Sequence, residues 1–285
     1  MNATRPTQQL VVVTGASSGI GAAAAHALAQ HGYWVLAGVR SENDLSRVAG
    51  RNIEAVHLDV TNGAHAKALA LRITNDPLGR PLRALVNNAG TGVNAPVEVF
   101  GLDAWRALFE VNYFGQIAVT QCLLPSLIQA QGRVINISSV GGRIAMGMYG
   151  PYAGTKFALE AFSDALRREV AHVGVDVVVI EPGAVKTKIS KRAIDGARRI
   201  SSEMTQEQVG RYGAMLHAVM AQAAAADEKG ADAAVAARVI ADAVTARRPR
   251  TRYGLGAEAR LVGLLRMLPD RLVDRVLDTA LRRYR

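Results

Sequence analysis

Two side chains in Tyr152-Ala153-Gly154-Thr155-Lys156 stand four residues apart, which on a helix puts both on one face. A free phenol, with a pKa near 10, is a poor proton donor or acceptor at neutral pH. A neighbouring ammonium favours the phenolate and moves that pKa towards a useful range. Thirteen residues before the tyrosine, at the end of the apolar run Arg133–Ile137, lies Ser139. Its hydroxyl could hold a substrate oxygen while Tyr152 gives or takes the proton. Tyrosine and lysine at this spacing mean little alone, so the neighbouring motifs must decide.

A second chemical signal sits near the N-terminus, in Thr14-Gly15-Ala16-Ser17-Ser18-Gly19-Ile20-Gly21. Glycines between a strand and a helix allow a sharp turn and close backbone approach to a pyrophosphate. The helix then offers free amides and its positive dipole end to that anion. Gly15, Ser17, Ser18, Gly19, Ile20 and Gly21 are therefore candidate cofactor contacts. The spacing differs from Gly-x-Gly-x-x-Gly, with three residues between the first two glycines. About twenty residues on, the second apolar run closes with Gly38-Val39-Arg40-Ser41. An acid there would accept from a ribose 2′-hydroxyl, whereas arginine pairs with a 2′-phosphate. Arg40, with Ser41 as a second donor, favours NADP(H) over NAD(H), although Glu42 follows directly.

The elements that must carry these groups alternate. Apolar runs at Leu10–Thr14, Trp34–Val39, Glu54–Leu58, Ala84–Asn87, Arg133–Ile137 and Asp176–Ile180 predict strands covered on both faces. Ala-rich stretches such as Gly21–His31 and Pro151–His172 predict the intervening helices. This is the rhythm of right-handed βαβ units. The expected fold is α/β: a Rossmann-type, doubly wound parallel sheet of about seven strands in a single domain. A short strand near Thr251–Tyr253 closes the edge. Residues 8–187 form the cofactor-binding and catalytic core. Residues 188–230, helical and rich in Ala and Met, read as a substrate lid or as two plain surface helices.

The tail, residues 255–285, carries a helical apolar stripe (Leu261, Leu264, Leu265, Leu268, then Leu272, Val273, Val276, Leu277) broken at Pro269. Packing on the body, pairing with a second subunit and lying on a membrane surface all fit such a stripe. From Ala246 to Arg285 eleven arginines face four acids, which concentrates there most of the chain's net charge of +10. No aromatic-interleaved basic motif accompanies the charge, so nucleic acid is not an expected partner. The chain has 285 residues, 49% of them apolar, enough for a substantial core. Its single cysteine, Cys122, excludes an internal disulfide and fits a reducing compartment. Met1–Gln9 lack the apolar stretch of a signal peptide, and no run of about 18 apolar residues occurs. The expected location is the cytoplasm, and no metal site is expected.

Taken jointly, Thr14–Gly21, Asn87-Asn88-Ala89-Gly90, Asn112, Ser139, Tyr152/Lys156 and Pro182-Gly183 resemble, in order and spacing, the short-chain dehydrogenases/reductases. The resemblance covers about residues 8–187. It implies that Tyr152 is the general acid/base, that Ser139 positions the carbonyl and that Lys156 also binds the nicotinamide ribose. It implies further that Asn112 holds a water linking Lys156 to solvent. Asp59 and Val60 would meet the adenine, and Asn88, Ala89 and Gly90 the adenosine side. Ile20 and the loop with Pro182, Gly183, Val185 and Thr187 would flank the nicotinamide. Asp59 also reads as part of a helix start, the two roles coexisting if Thr61 makes the cap. Gly150-Pro151-Tyr152 and Lys156–Glu160 look like the 17-beta-hydroxysteroid and retinol dehydrogenase branch, which implies a lipophilic alcohol or ketone. A dimer or tetramer built on helices around 103–130 and 151–172 is implied too. Two other readings stay open: a 3-oxoacyl-carrier-protein reductase, and a non-catalytic NADPH-binding sensor or scaffold.

Overall fold

The computed structural model describes residues 8–284. The expectation about Met1–Gln9 falls mostly outside that range, as does Arg285. Seven strands form one parallel sheet in the order β3-β2-β1-β4-β5-β6-β7: β1 (Leu10–Val13), β2 (Trp34–Val39), β3 (Ile53–His57), β4 (Leu82–Asn87), β5 (Arg133–Ile137), β6 (Asp176–Pro182) and β7 (Arg252–Leu255). Every adjacent pair runs parallel. The order reverses between β1 and β4, so these two strands flank the crevice where open α/β sheets bind ligands. The expected strands are all present, with shifts at their ends. The first stops at Val13, for example, because the chain leaves the extended conformation at Gly15, whose φ is +65°.

Strand geometry explains the double-sided core. Successive side chains point to opposite faces. Val11 and Val13 therefore join Ala24, Ala25 and Leu28 of α1 (Gly19–Gln30) and Ala237, Ile240 and Val244 of α9 (Ala233–Thr245) on one face. Leu10 and Val12 join Leu69 and Ile73 of α3 (Gly63–Thr74), Val119, Leu123 and Leu127 of α5 (Gly115–Ala130) and Leu166 of α6 (Gly150–Val170) on the other. Leu28, Leu123 and Ile240 are fully buried, and each such side chain contributes about 2–3 kcal/mol. Between β2 and β3 lies the short α2 (Glu42–Val48), and between β4 and α5 lies α4 (Leu102–Phe109).

The expected helical insertion is a pair, α7 (Lys188–Glu203) and α8 (Gln206–Lys229). A capping box at Thr205 starts α8: its hydroxyl accepts from the Gln208 amide while the Gln208 side chain accepts from the Thr205 amide. The tail forms α10 (Ala257–Leu265) and α11 (Asp270–Arg282), with the break at Pro269 as expected. Leu281 of α11 packs against the apolar cluster that α7 and α8 form with Met148. The tail thus does rest on the body, yet much of its stripe stays outside. Among the described residues no helix is long and apolar enough to cross a membrane.

Candidate active site

The glycine-rich turn is held by its neighbour strand rather than by itself. Thr14 Oγ1 accepts from the amides of Asn88 and Ala89, both at 2.9 Å, and Asn88 Nδ2 donates to the Thr14 and Gly15 carbonyls at 2.9 and 3.2 Å. Gly15 and Gly19 adopt φ of +65° and +57°, which favours glycine. A Cβ at Gly15 would stand 2.8 Å from the Ala89 Cα, and one at Gly21 would strike the Gly15 carbonyl oxygen and Asn88 Nδ2. Side chains are therefore excluded where a flat ligand must approach backbone. Ser18 begins α1 without a capping bond from its own hydroxyl, which leaves first-turn amides directed at the crevice. These features fit the pyrophosphate of a dinucleotide.

Around that turn the remaining expected contacts gather. Arg40 and Ser41 lie exposed at the carboxyl end of β2. Arg40 also stands near Asp59. Burial works against the charged form of Asp59, but two hydrogen bonds from Thr61 (amide 3.0 Å, hydroxyl 2.7 Å) and this arginine hold its carboxyl below its ordinary value. The cap of α3 is made by Asn62, which accepts from the Ala64 amide, and not by Thr61. Thr61 is committed to Asp59 instead. Val60 is buried against Gly115. Ile20 packs on the core. Pro182 ends β6, the Gly183 amide donates to the Leu255 carbonyl at 3.0 Å, and Val185 bridges to Ala231. Thr187 comes back to the turn: a Cβ at Gly19 would lie 3.2 Å from its methyl.

The catalytic candidates meet at the carboxyl ends of β4 and β5. Tyr152 and Lys156 sit in the first turns of α6, where Pro151 is tolerated because first-turn amides have no helical partner. Ser139 Oγ accepts from the Gly141 amide at 3.0 Å. A Cβ at Gly141 would lie 3.5 Å from both Ser139 Oγ and Tyr152 Cε1, so serine and tyrosine border one small space. Lys156 donates to the Ile137 carbonyl at 2.8 Å, and its Nζ is 5.8 Å from the centre of the Tyr152 ring.

One expectation changes here. The ammonium does not lower the tyrosine; burial raises the Tyr152 phenol above its ordinary value, and the Ser139 hydroxyl opposes that only in part. Burial also brings the Lys156 pKa down to about 8, against the pull of Glu160. The site as built holds a protonated phenol at neutral pH. That is the form a proton donor needs.

Asn112 lies in a π-helical turn, Glu110–Phe114, between α4 and α5. Such a turn rotates one residue out of register and is frequent at functional sites. It delivers the fully buried Asn112 side chain to the Thr91 amide and carbonyl, both at 2.8 Å, and to Thr155 Oγ1 at 3.1 Å. A Cβ at Gly90 would sit 3.3 Å from Asn112 Oδ1 and 3.9 Å from Lys156 Nζ, so amide and ammonium flank one point. Thr91 and Thr155 escaped notice in the sequence because an isolated threonine carries no spacing signal. The same holds for the buried relay beneath, in which Asn87 donates to Thr120 and Asn136 (2.9 Å each) and Asn136 to Ser163 at 2.8 Å. A signal did exist there: asparagine is costly inside an apolar parallel strand unless it is bonded. Arg47 was missed too. Its guanidinium donates to the Ser17 carbonyl at 3.0 Å.

Known proteins place this arrangement. Residues 9–197 match the family model described as short chain dehydrogenase. The chain belongs to that family. Human retinol dehydrogenase 5 is 37% identical over 281 residues, covering 95% of this chain and 88% of its own. A short chain dehydrogenase from Burkholderia cenocepacia, solved in complex with NADP, superposes with a TM-score of 0.73 at 25% identity, covering 95% of this chain and 97% of that one. Another from Burkholderia phymatum, solved with NAD, shares the fold at a TM-score of 0.75 and 24% identity, covering 93% of each. The chain is thus a short-chain dehydrogenase/reductase, similar to retinol dehydrogenases, with the family's nicotinamide-nucleotide fold.

Proposed function

We propose that this enzyme is an NADP(H)-dependent oxidoreductase that interconverts a carbonyl and an alcohol on a lipophilic substrate in the cytoplasm. The observation that carries the reading is the convergence of Ser139 and Tyr152 on one space beside Lys156, at the sheet end that also holds the glycine-rich turn. A substrate oxygen in that space meets the Ser139 hydroxyl and the Tyr152 phenol together. A bound nicotinamide supplies or accepts the hydride at the adjacent carbon. Tyr152 then gives the proton to the oxygen in reduction and takes it back in oxidation. Lys156, between the Ile137 carbonyl and the point it shares with Asn112, holds the ribose side and the route for proton return.

The phosphate preference rests on Arg40. No carboxylate closes β2, and an exposed guanidinium there suits a 2′-phosphate. Arg47 lies on the same rim, donating to the Ser17 carbonyl while paired with Asp44 at 2.6 Å, so among the described residues Arg40 carries the unpaired charge there. The lipophilic reading rests on the lid. Met148, Met204, Met215 and Met220, four of the chain's seven methionines, meet Leu216, Val219 and Tyr149 beside the catalytic tyrosine. Flexible thioethers adapt to irregular apolar ligands, which favours a free ketone or alcohol over an acyl thioester on a carrier protein. A homo-oligomer is supported by the exposed Phe114 and Phe157 and by an apolar groove of about 440 Å³ lined by Leu102, Trp105, Phe109 and Phe114.

Fluorescence titration with NADPH and NADH tests the cofactor reading. NADPH is expected to bind at least about tenfold more tightly, the scale of one charge-assisted contact, and Arg40→Asp is expected to remove the difference. Equal binding of the two nucleotides by the unaltered protein would overturn it.

A further inference from the structure

We infer, resting on the reaction proposed above, that Arg143 and Arg252, with the carboxylates Glu160 and Glu181 between them, are positioning residues. They hold the Ser139 loop, the end of β6 and the helix α6 in one register. Side chains alternate along a strand, so Arg252 on β7 and Glu181 on β6 face α6, while Ile180 and Tyr253 face the opposite core. Arg252 Nη2 lies 3.0 Å from both Glu160 and Asp164 of α6, and its Nε lies 3.2 Å from Glu181. Arg143, four residues beyond Ser139, donates to the same Glu181 oxygen at 2.9 Å. Glu160 follows Lys156 by one helical turn. Glu181 directly precedes Pro182, whose carbonyl oxygen is 3.5 Å from Ser139 Oγ. Between them Gly142 lets the loop lie on the helix: a Cβ there would stand 2.6 Å from Ser138 Oγ and 3.1 Å from the Lys156 carbonyl oxygen.

Stability alone does not explain such a network. Charges taken out of water lose hydration that their pairing offsets only with good geometry, and apolar side chains of similar volume commonly serve as well. Farther along α6 the interface with the sheet is of that apolar kind, with Leu166, Val170 and Val177 in one cluster. The ionic part sits at the catalytic end. Burial pushes the Glu160 carboxyl up, against hydrogen bonds from Ser138 and Arg252, so its charge is kept against resistance. Directional bonds add what apolar contacts lack, which is a fixed register. Three parts of the site hang from this one network: Ser139 through the loop that Arg143 ends, Lys156 through Glu160, and Pro182-Gly183 through Glu181.

Steady-state ketone reduction by Arg143→Met, Arg143→Lys and Ser139→Ala tests this, with melting temperatures alongside. Arg143 is only partly buried, which favours a folded variant. Arg143→Met is expected to lower kcat by about tenfold or more and to leave the ketone KM within about threefold. Arg143→Lys should recover part of the loss. In a Ser139→Ala background Arg143→Met should do little more, because residues acting through one group are not additive. Arg72→Met breaks the distant Glu54–Arg72–Asp76 pairs, so it should lower the melting temperature and leave kcat alone. An Arg143→Met enzyme that melts lower yet turns over normally overturns the inference, as does a loss that adds in full to that of Ser139→Ala.

Ultraviolet titration of the Tyr152 phenol, taken as the difference from Tyr152→Phe, gives a reading independent of turnover. Ser139, Tyr149 and Lys156 face this phenol, and the Ser139 hydroxyl opposes the upward push of burial. Arg143→Met should therefore titrate at higher pH, as Ser139→Ala does, and the double variant no higher than Ser139→Ala alone. A mere loss of positive charge would add to the Ser139→Ala shift. If the unaltered chain binds NADPH but reduces no ketone, the proposed reaction fails and the network is decided by this titration. An unshifted phenol in Arg143→Met, or a fully additive shift, overturns it.

Discussion

The carboxyl edge of the sheet and the helical pair α7 and α8, proposed above as a lid, are built on opposite principles. At the sheet edge almost every position is fixed by a polar tie or a missing side chain. Thr14 and Asn88 lock the glycine-rich turn, Asn112 clamps Thr91 and Thr155, and Lys156 is held by Ile137. Where α7 and α8 pack beside Met148, the side chains of Met148, Met204, Met215, Leu216, Val219 and Met220 meet as an apolar cluster. Directional bonds demand one residue type at one place, whereas apolar contacts accept several. The edge can be specific for a reaction and the lid adaptable to a ligand because precision and tolerance are kept apart.

The largest break in this comparison should come from one oxygen atom at the edge. Tyr152→Phe removes the proton donor and leaves the ring, so turnover is expected to fall by about 10²–10⁴-fold with nucleotide affinity kept. The pH dependence has a definite sign. Burial raises the phenol, so it stays protonated through neutral pH, and carbonyl reduction should be steady there and decline as pH rises towards the phenol's raised pKa. Alcohol oxidation, which needs the phenolate, should increase over the same range. Lys156, brought down to about 8, holds its proton below that pH and sheds it above. Steady-state rates of both directions from pH 6 to 10 check this; a phenylalanine variant with near-native turnover would remove Tyr152 from the chemistry.

A smaller break needs only one methyl group. Gly21→Ala would drive a Cβ into the Gly15 carbonyl and the Asn88 amide, both backbone or backbone-tied, so neither can step aside. Overpacking of that kind costs about 1–3 kcal/mol, and here it deforms the turn itself. Nucleotide affinity is expected to drop by about tenfold or more, with a lower melting temperature. An unchanged affinity would show that the turn has slack and that the sheet edge is less exacting than its contacts suggest.

This contrast also sets what could be read from the sequence. The glycine-rich turn, the helix that puts Tyr152 and Lys156 one turn apart and all seven strands were legible because each depends on residue types that chemistry restricts: glycine where φ is positive, an Ala-rich helical stretch, β-branched runs buried on both faces. Thr91, Thr155 and the Asn87–Asn136–Ser163 relay were not, since their roles depend on contacts across 21 to 49 positions of chain. The cap of α3 was misread by one position because Thr61 and Asn62 are both good capping residues and only geometry decides between them. The influence of Lys156 on Tyr152 was misjudged because sequence gives spacing but not direction, and the ammonium turns to a carbonyl. In the lid, the Met-rich composition announced an apolar region but could not say which side chains meet.

The smallest effect is expected where the two regions differ most. Met215 reaches Gly147, where an added Cβ would lie 3.1 Å from its sulfur, and packs with Leu216 and Tyr149 in the lid cluster. Met215→Leu keeps volume and polarity, and such exchanges usually cost less than about 1.5 kcal/mol. A single methyl at Gly21 should therefore do more harm than exchanging a whole side chain here. Turnover is expected to stay within about threefold, because nothing at Tyr152, Ser139 or Lys156 is moved. KM should shift unequally among ketones of different bulk, since the branched leucine fills the space near Gly147 but cannot follow a ligand as a thioether does. Rates and KM across a graded series of ketones, with melting curves alongside, measure this. Loss of turnover as severe as at Tyr152, in a folded variant, would mean that the lid positions the reacting atoms and that the division between exact edge and tolerant cover does not hold.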